Sequence, residues 1–284
     1  MYLVTGATGN VGAELVRALA ESGERVRAVS RSGRGEGLPA GVEAVASDLN
    51  RPESVRAALE GVRGLFLMPG YDGQRQILAD ARAAGVRRVV LLSGLSAGTG
   101  DRSNAVAGYL LAAEDDVRDS GLAWTIVRPT SFMTNALRLA DGIREGDTVR
   151  VPFPDVRTTD IDPYDIAQVA LRGLLSEEFA GRVLEVTGPE ALLPADRVRI
   201  LGEVLGRDLR AVGLEHEEAR AEMEASGMPK SYVDAFSPSS STAPSTNRWC
   251  FPRWSRSQVG RRAPSRSGHG HTRTRSSGYD RWRA

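Results

Sequence analysis

Apolar residues along the first 175 positions of the chain switch between two periods. Short runs rich in β-branched and large apolar residues recur at Leu3-Val4-Thr5, Val26-Arg27-Ala28-Val29, Val42-Glu43-Ala44-Val45, Leu65-Phe66-Leu67-Met68, Val89-Val90-Leu91-Leu92 and Trp124-Thr125-Ile126-Val127. Between them lie segments with helical spacing, such as Val11/Leu15/Val16/Leu19 and Val55/Ala58/Leu59. Strand and helix in alternation predict a parallel sheet covered by helices on both faces, an α/β fold of the doubly wound Rossmann type. Asn50 is the expected N-cap of a helix with Pro52 in its first turn. Gly23, Gly61, Gly85 and Gly121 stand where left-handed helix ends are expected. Asp162-Pro163 opens a further helix, Arg182–Thr187 reads as a strand, and Pro194–Leu205 and Glu217–Ala225 read as helices of a small C-terminal lobe.

The periodicity stops at Ser237. From there Pro, Ser, Thr and Arg dominate, a composition that cannot bury a core and predicts disorder. Charge divides at the same place. The net charge is +1, but residues 237–284 hold ten arginines against Asp280 alone, so the preceding residues are acidic overall. Two readings of this stretch stand. With free choice of synonymous codons, a shifted frame lets Ala243–Gly260 encode TLDESVVLPTVVEVTGR, a soluble amphipathic ending; a frameshift product is the favoured reading. The alternative is a basic tail in which Arg261-Arg262 neutralise phosphates and Trp249, Trp254 and Trp282 stack on bases. No ordered nucleic-acid module is recognisable, so a nucleic-acid partner is not expected.

The remaining totals narrow the class. Hydrophobic residues make up 41% of 284, enough for a large α/β domain with a smaller companion. No stretch approaches the roughly 18–20 apolar residues of a membrane span, and no basic region with a following apolar run opens the chain, so a cytoplasmic protein without a membrane partner is expected. Cys250 is the only cysteine, which excludes an internal disulfide framework and any CxxC metal site. Nothing in the pattern fixes the oligomeric state.

The candidate chemistry begins at Val4-Thr5-Gly6-Ala7-Thr8-Gly9-Asn10-Val11-Gly12, a G-x-x-G-x-x-G loop directly after a strand and directly before a helix. Gly6 permits the tight turn, Gly9 lets backbone approach a pyrophosphate, and Gly12 permits close packing of helix on strand. The open amides at the helix start then face the phosphates. The end of the second strand sorts the two nicotinamide dinucleotides. An acid there would bond the ribose 2′-hydroxyl, whereas the chain reads Val29-Ser30-Arg31-Ser32. Arg31 matches a 2′-phosphate, with a solvated surface arginine as the alternative, so NADP(H) is favoured over NAD(H). Asp48, after the third strand, is placed either to accept the adenine amino group or simply to initiate a turn. Met68-Pro69-Gly70 and Ser93-Gly94-Leu95-Ser96 end the fourth and fifth strands, the side on which ligands lie in open α/β sheets.

GATGNVG, SDL, RVVLLSGLSAG, SGLAWTIVRPTSFMTN and IDPYDIA together resemble the NmrA-like, atypical short-chain dehydrogenase family over roughly residues 1–236. That family includes type 2 NAD(P)H:quinone oxidoreductases and NADP-sensing regulators. The resemblance implies an NAD(P)-binding Rossmann domain whose substrate lobe begins near residue 130. Cofactor contacts are implied at Gly6, Ala7, Thr8, Gly9, Asn10, Val11, Gly12 and Arg31, with Asp48 and Leu49 near adenine and Met68, Pro69 and Ser93 along the ribose and nicotinamide path. Ser96, Tyr109, Pro129, Thr130 and Phe132 are the expected substrate-lining residues.

One departure bears on mechanism. Typical short-chain dehydrogenases use Tyr-x-x-x-Lys, in which the lysine lowers the tyrosine pKa. Here Ala113 lies four residues after Tyr109, and Lys230 is the only lysine of the chain. Tyr109 is thus a weak catalytic candidate that either hydrogen-bonds a ligand or packs. No metal site is expected. Hydride transfer to a quinone or similar small conjugated acceptor depends less on such a dyad, because the cofactor carries the hard step. The expected function is an NADP(H)-dependent oxidoreductase acting on such acceptors; the alternative is a non-catalytic dinucleotide-binding redox sensor.

Overall fold

The computed structural model describes residues 1–236. The basic stretch from Ser237, with the disorder and frameshift expected of it, lies outside the described residues. In chain order the elements are β1 (Tyr2–Thr5), α1 (Asn10–Glu21), β2 (Val26–Ser30), β3 (Glu43–Ala46), α2 (Pro52–Arg56), β4 (Gly64–Leu67), α3 (Gln74–Ala83), β5 (Arg88–Leu92), α4 (Ala105–Asp119), β6 (Ala123–Pro129), β7 (Ser131–Phe132), α5 (Ala140–Glu145), β8 (Thr148–Val151), β9 (Thr158–Ile161), α6 (Pro163–Leu175), β10 (Arg182–Val186), β11 (Ala191–Leu192), α7 (Pro194–Leu205), β12 (Arg210–Gly213), α8 (His216–Ala225) and α9 (Lys230–Phe236).

Seven strands form one sheet in the order β10-β6-β5-β4-β1-β2-β3, and every pair in it is parallel. Successive side chains on a strand face opposite sides, so a run that is apolar throughout must be covered twice. Val4, Phe66 and Val90 join α1 and α6 in one core. Leu3, Leu65, Leu67, Val89 and Leu91 join residues of α2, α3 and α4 in the other. The order in which strands are added reverses between β1 and β4: β2 and β3 lie to one side of β1, and β4, β5, β6 and β10 to the other. In open α/β sheets the crevice for a ligand forms at the carboxyl ends beside this reversal.

Short pairings build the remainder. β7 runs parallel to β9, β11 runs antiparallel to β9, and β8 pairs with β12 in parallel. Ile143, Val149, Val151, Val198, Leu201 and Leu209 make a small core of their own under α5 and α7.

Most expected boundaries stand within a residue or two, and Gly23, Gly61, Gly85 and Gly121 all have left-handed backbone. Asn50 does not. The helix it was expected to cap begins at Pro52 behind Arg51, with no side-chain cap. The Asp48 carboxylate accepts from the Asn50 backbone amide at 3.0 Å, which places Asn50 inside a preceding turn rather than at the helix start. Among the described residues no helix is long and apolar enough to cross a membrane.

Candidate functional site

The glycine loop sits at the β1/β4 reversal. Gly6 has φ +60°, and a Cβ there would lie 2.9 Å from Met68 Cγ; a Cβ on Gly12 would lie 2.1 Å from the Gly6 carbonyl oxygen. Backbone therefore runs against backbone with no volume to spare. Gly9 donates to the Gly6 carbonyl at 2.9 Å, and Ala7 donates to Val29 on β2 at 3.3 Å. Thr5 fastens the loop from beneath. Its buried hydroxyl donates to the Phe66 carbonyl and accepts from the Met68 amide, both at 3.0 Å, so one side chain ties the carboxyl ends of β1 and β4. α1 opens at Asn10 without an acid in its first turn, and its leading amides have no carbonyl within the helix. Thr8, Gly9 and Asn10 are exposed, while Ala7 and Val11 are buried, which leaves the latter two only their backbone to offer a ligand. The tight turn, the missing side chains and the open amides fit a diphosphate.

At the end of β2, Arg31 is exposed. Its neighbour Arg34, which sequence reasoning passed over, is exposed as well, and neither guanidinium has an ion-pair partner among the described residues. The Ser30 hydroxyl accepts from the Gly33 amide at 3.1 Å, holding the turn that carries both. Asp48 uses one oxygen on the Asn50 amide, and its other lies 4.0 Å from Arg51 Nε. The Leu49 side chain is buried in the core with Val55 and Leu59, so it too can meet a ligand only through its backbone.

Met68 and Pro69, half-buried at the end of β4, flank the loop. Ser93, at the end of β5, belongs to a network that the sequence did not disclose. Its hydroxyl donates at 2.6 Å to Glu114, which is fully buried on α4. Arg128 of β6 bonds both oxygens of Glu114, at 2.8 and 2.7 Å, and Arg118 adds a fourth bond at 2.7 Å. Burial pushes the Glu114 carboxyl upward, but hydrogen bonds from Arg128 and Ser93, the Arg128 charge and the Arg118 bond outweigh it and hold the group below the ordinary carboxylate range. Because the Ser93 hydrogen is committed to Glu114, that hydroxyl offers a ligand its lone pairs only. The signal for Glu114 was present: it interrupts the buried face of Leu110, Leu111, Ala113 and Val117 on α4.

The expected substrate-lining residues come from three segments near the same end of the sheet. Pro129 is buried at the end of β6, and Thr130 follows, its amide donating to the Val186 carbonyl at 3.0 Å. The Thr130 hydroxyl is buried and has no protein partner among the described residues, as is the Thr134 hydroxyl, which sequence reasoning missed. Phe132 packs half-buried against the first core. Ser96 lies on the short helical stretch after β5. Tyr109, half-buried on α4, has its ring 3.8 Å from the position a Cβ on Gly70 would take. Burial pushes the Tyr109 phenol up, and the neighbouring Tyr232 adds to the shift. Among the described residues no cation opposes that shift, so the phenol keeps its proton.

Comparison with known proteins agrees with this geometry. The sequence profile of a family described as NAD(P)H-binding matches residues 6–177. The chain is 38% identical to the (4-alkanoyl-5-oxo-2,5-dihydrofuran-3-yl)methyl phosphate reductase of Streptomyces griseus over 83% of this chain and 84% of that protein. It is 35% identical to an NAD(P)H azoreductase of Xenophilus azovorans over 86% and 87%. Among solved structures it resembles the NADPH-dependent quinone oxidoreductase QOR2 of Escherichia coli with NADPH, at TM-score 0.71 and 24% identity over 84% and 87% of the two chains. The chain belongs to the NAD(P)H-binding, NmrA-like family of atypical short-chain dehydrogenases, within which the two relatives above are named as reductases.

Proposed function

We propose that this protein is an NADPH-dependent reductase of quinones or similarly conjugated small acceptors. The carrying observation is an intact phosphate loop together with a tyrosine near Gly70 that has no cation to ionise it among the described residues. Oxidation of an alcohol needs a base to remove its proton, and Tyr109 is not poised to be one. Reduction of a conjugated acceptor needs two planar groups held face to face, which positioning alone supplies. The relatives support that class: their names specify an unsaturated oxo-dihydrofuran and an azo function.

The residues divide the work by position. Amides of Asn10 to Gly12 hold the diphosphate, and Arg31 with Arg34 meets the 2′-phosphate by charge-assisted hydrogen bonds. The Asp48 oxygen that faces Arg51 at 4.0 Å accepts from the adenine amino group. Met68, Pro69 and Ser93 line the ribose and nicotinamide path. Ser96, Tyr109, Thr130 and Phe132 face the acceptor, with the orphaned Thr130 hydroxyl and the Tyr109 phenol as its polar contacts. The bound cofactor supplies the hydride. A quinone gains that hydride and one proton, which arrives from water or the Tyr109 hydroxyl, to give the hydroquinone.

Nicotinamide absorbance during incubation with menadione, benzoquinone and an azo dye tests the reading. Steady NADPH consumption with at least one acceptor, and none of NADP⁺ with secondary alcohols, is the expected result. Saturable NADPH binding with no turnover of any acceptor would overturn it and leave a dinucleotide sensor in its place.

A further inference from the structure

The last described helix returns to the site. α9 follows the completed sheet by more than forty residues in sequence, yet it seats on α4, the helix that carries Tyr109. Val233 is fully buried. The Asn104 side chain, which caps the start of α4, donates to the Ala235 carbonyl at 3.3 Å. Arg220 of α8 bonds Asp234 at 2.5 Å. These anchors hold Tyr232 against Tyr109 with ring centroids 6.3 Å apart and planes inclined by 21°. A line of close approaches then leads back to the cofactor loop. The Tyr109 ring lies beside Gly70, Gly70 follows Met68 by two residues, and Met68 closes on Gly6. Both tyrosines are half-buried, and neither phenol hydroxyl has a hydrogen-bond partner among the described residues. Packing alone would be served equally by phenylalanine, which carries no hydroxyl to satisfy.

We propose that Tyr232 is a specificity-determining residue of the acceptor site. With Tyr109 it forms an aromatic wall on which a flat conjugated acceptor stacks, while a phenol hydroxyl donates to the acceptor's carbonyl or azo atom. The wall rests on the reductase reading above and deepens it, because it selects acceptors with a broad flat ring face over small acyclic ones. It also makes α9, far from the phosphate loop in sequence, part of the substrate lobe.

Three variants of the full chain test it: Tyr232→Phe, Tyr232→Leu and Tyr232→Ala. Leucine keeps the apolar bulk under α9, so that variant stays informative even if alanine loosens the helix; melting temperatures show which variants remain folded. Two quantities are read: KM for menadione against KM for methyl vinyl ketone, and calorimetric affinity of menadione for NADP⁺-loaded protein. Tyr232→Leu is expected to raise menadione KM and Kd about tenfold, to leave methyl vinyl ketone KM and NADPH affinity within about twofold, and Tyr232→Phe to retain most menadione affinity. Unchanged menadione constants in a folded Tyr232→Leu protein that still turns over quinone would sink the wall and spare the reductase reading. Tyr232-dependent menadione binding without NADPH oxidation by any acceptor would sink the reductase reading and spare the wall. No menadione binding by the wild type overturns the wall outright.

Discussion

At position 12 there is no volume for a side chain, since a Cβ would meet the Gly6 carbonyl at 2.1 Å. Gly12→Ala is therefore expected to lower stability by about 1–3 kcal/mol and to weaken NADPH binding, with thermal melting and calorimetry as the respective measurements. Arg31 poses the opposite case, an exposed side chain with no partner among the described residues. Arg31→Ala should weaken NADPH binding about tenfold while leaving NADH unchanged, because only the 2′-phosphate is lost as a partner; equal losses for both dinucleotides would remove Arg31 from that role. The loop was legible in the sequence because its demands are local: a turn, a missing Cβ and a helix start all fall within seven residues. Glu114 and Tyr232 were harder to see, because their importance depends on which residues of distant elements face them. Even so, a carboxylate in the apolar stripe of α4 is a visible anomaly, whereas nothing around Tyr232 distinguishes it from a surface tyrosine.

The elements of the large sheet were all readable, since a strand covered on both faces is apolar at consecutive positions and its helices repeat at the helical period. The small strands β7, β8, β9, β11 and β12 were not. β7 and β11 have two residues each, too few for a period to register; β8, β9 and β12 match β1 in length but break their apolar residues with Arg150, Asp160 and Arg210, and all five exist through pairing with segments far away in sequence. Two side chains join elements strongly enough to test. Thr5 links β1 to β4, and Thr5→Val removes the bonds to the buried Phe66 carbonyl and the partly buried Met68 amide, for a loss of about 1–3 kcal/mol in denaturant unfolding. Glu114 links α4 to β5 and β6. Its carboxyl is held below the ordinary range in the folded protein, so its stabilisation is fully present above the unfolded pKa of about 4.3. That stabilisation is lost as pH falls through the lower folded value. Removing the charge leaves Arg128 only its longer contact to Glu185 at 3.6 Å, so Glu114→Gln should cost about 3 kcal/mol at neutral pH. It should also flatten the acid side of the melting-temperature profile.

For the whole molecule, the bound dinucleotide acts as a stabilising ligand. NADPH at a hundredfold excess over its Kd is expected to add about 2.7 kcal/mol, raising the melting temperature by roughly 5–10 °C for a chain of this size; a cooperative melt insensitive to NADPH would contradict the assigned loop. We also propose that the coding sequence changes frame near Ser237, where the two periodicities end. Resequencing the gene across the codons for Ala235–Ser241 checks this directly. The clamp made by Thr5 bears, finally, on the order of events at the ribosome. Its partners Phe66 and Met68 are translated some sixty residues later, so an emerging N-terminus carries its glycines without the cradle they form. Coenzyme capture must wait until β4 has been made and has docked beside β1, so the earliest stretch of synthesis is indifferent to how much coenzyme is present.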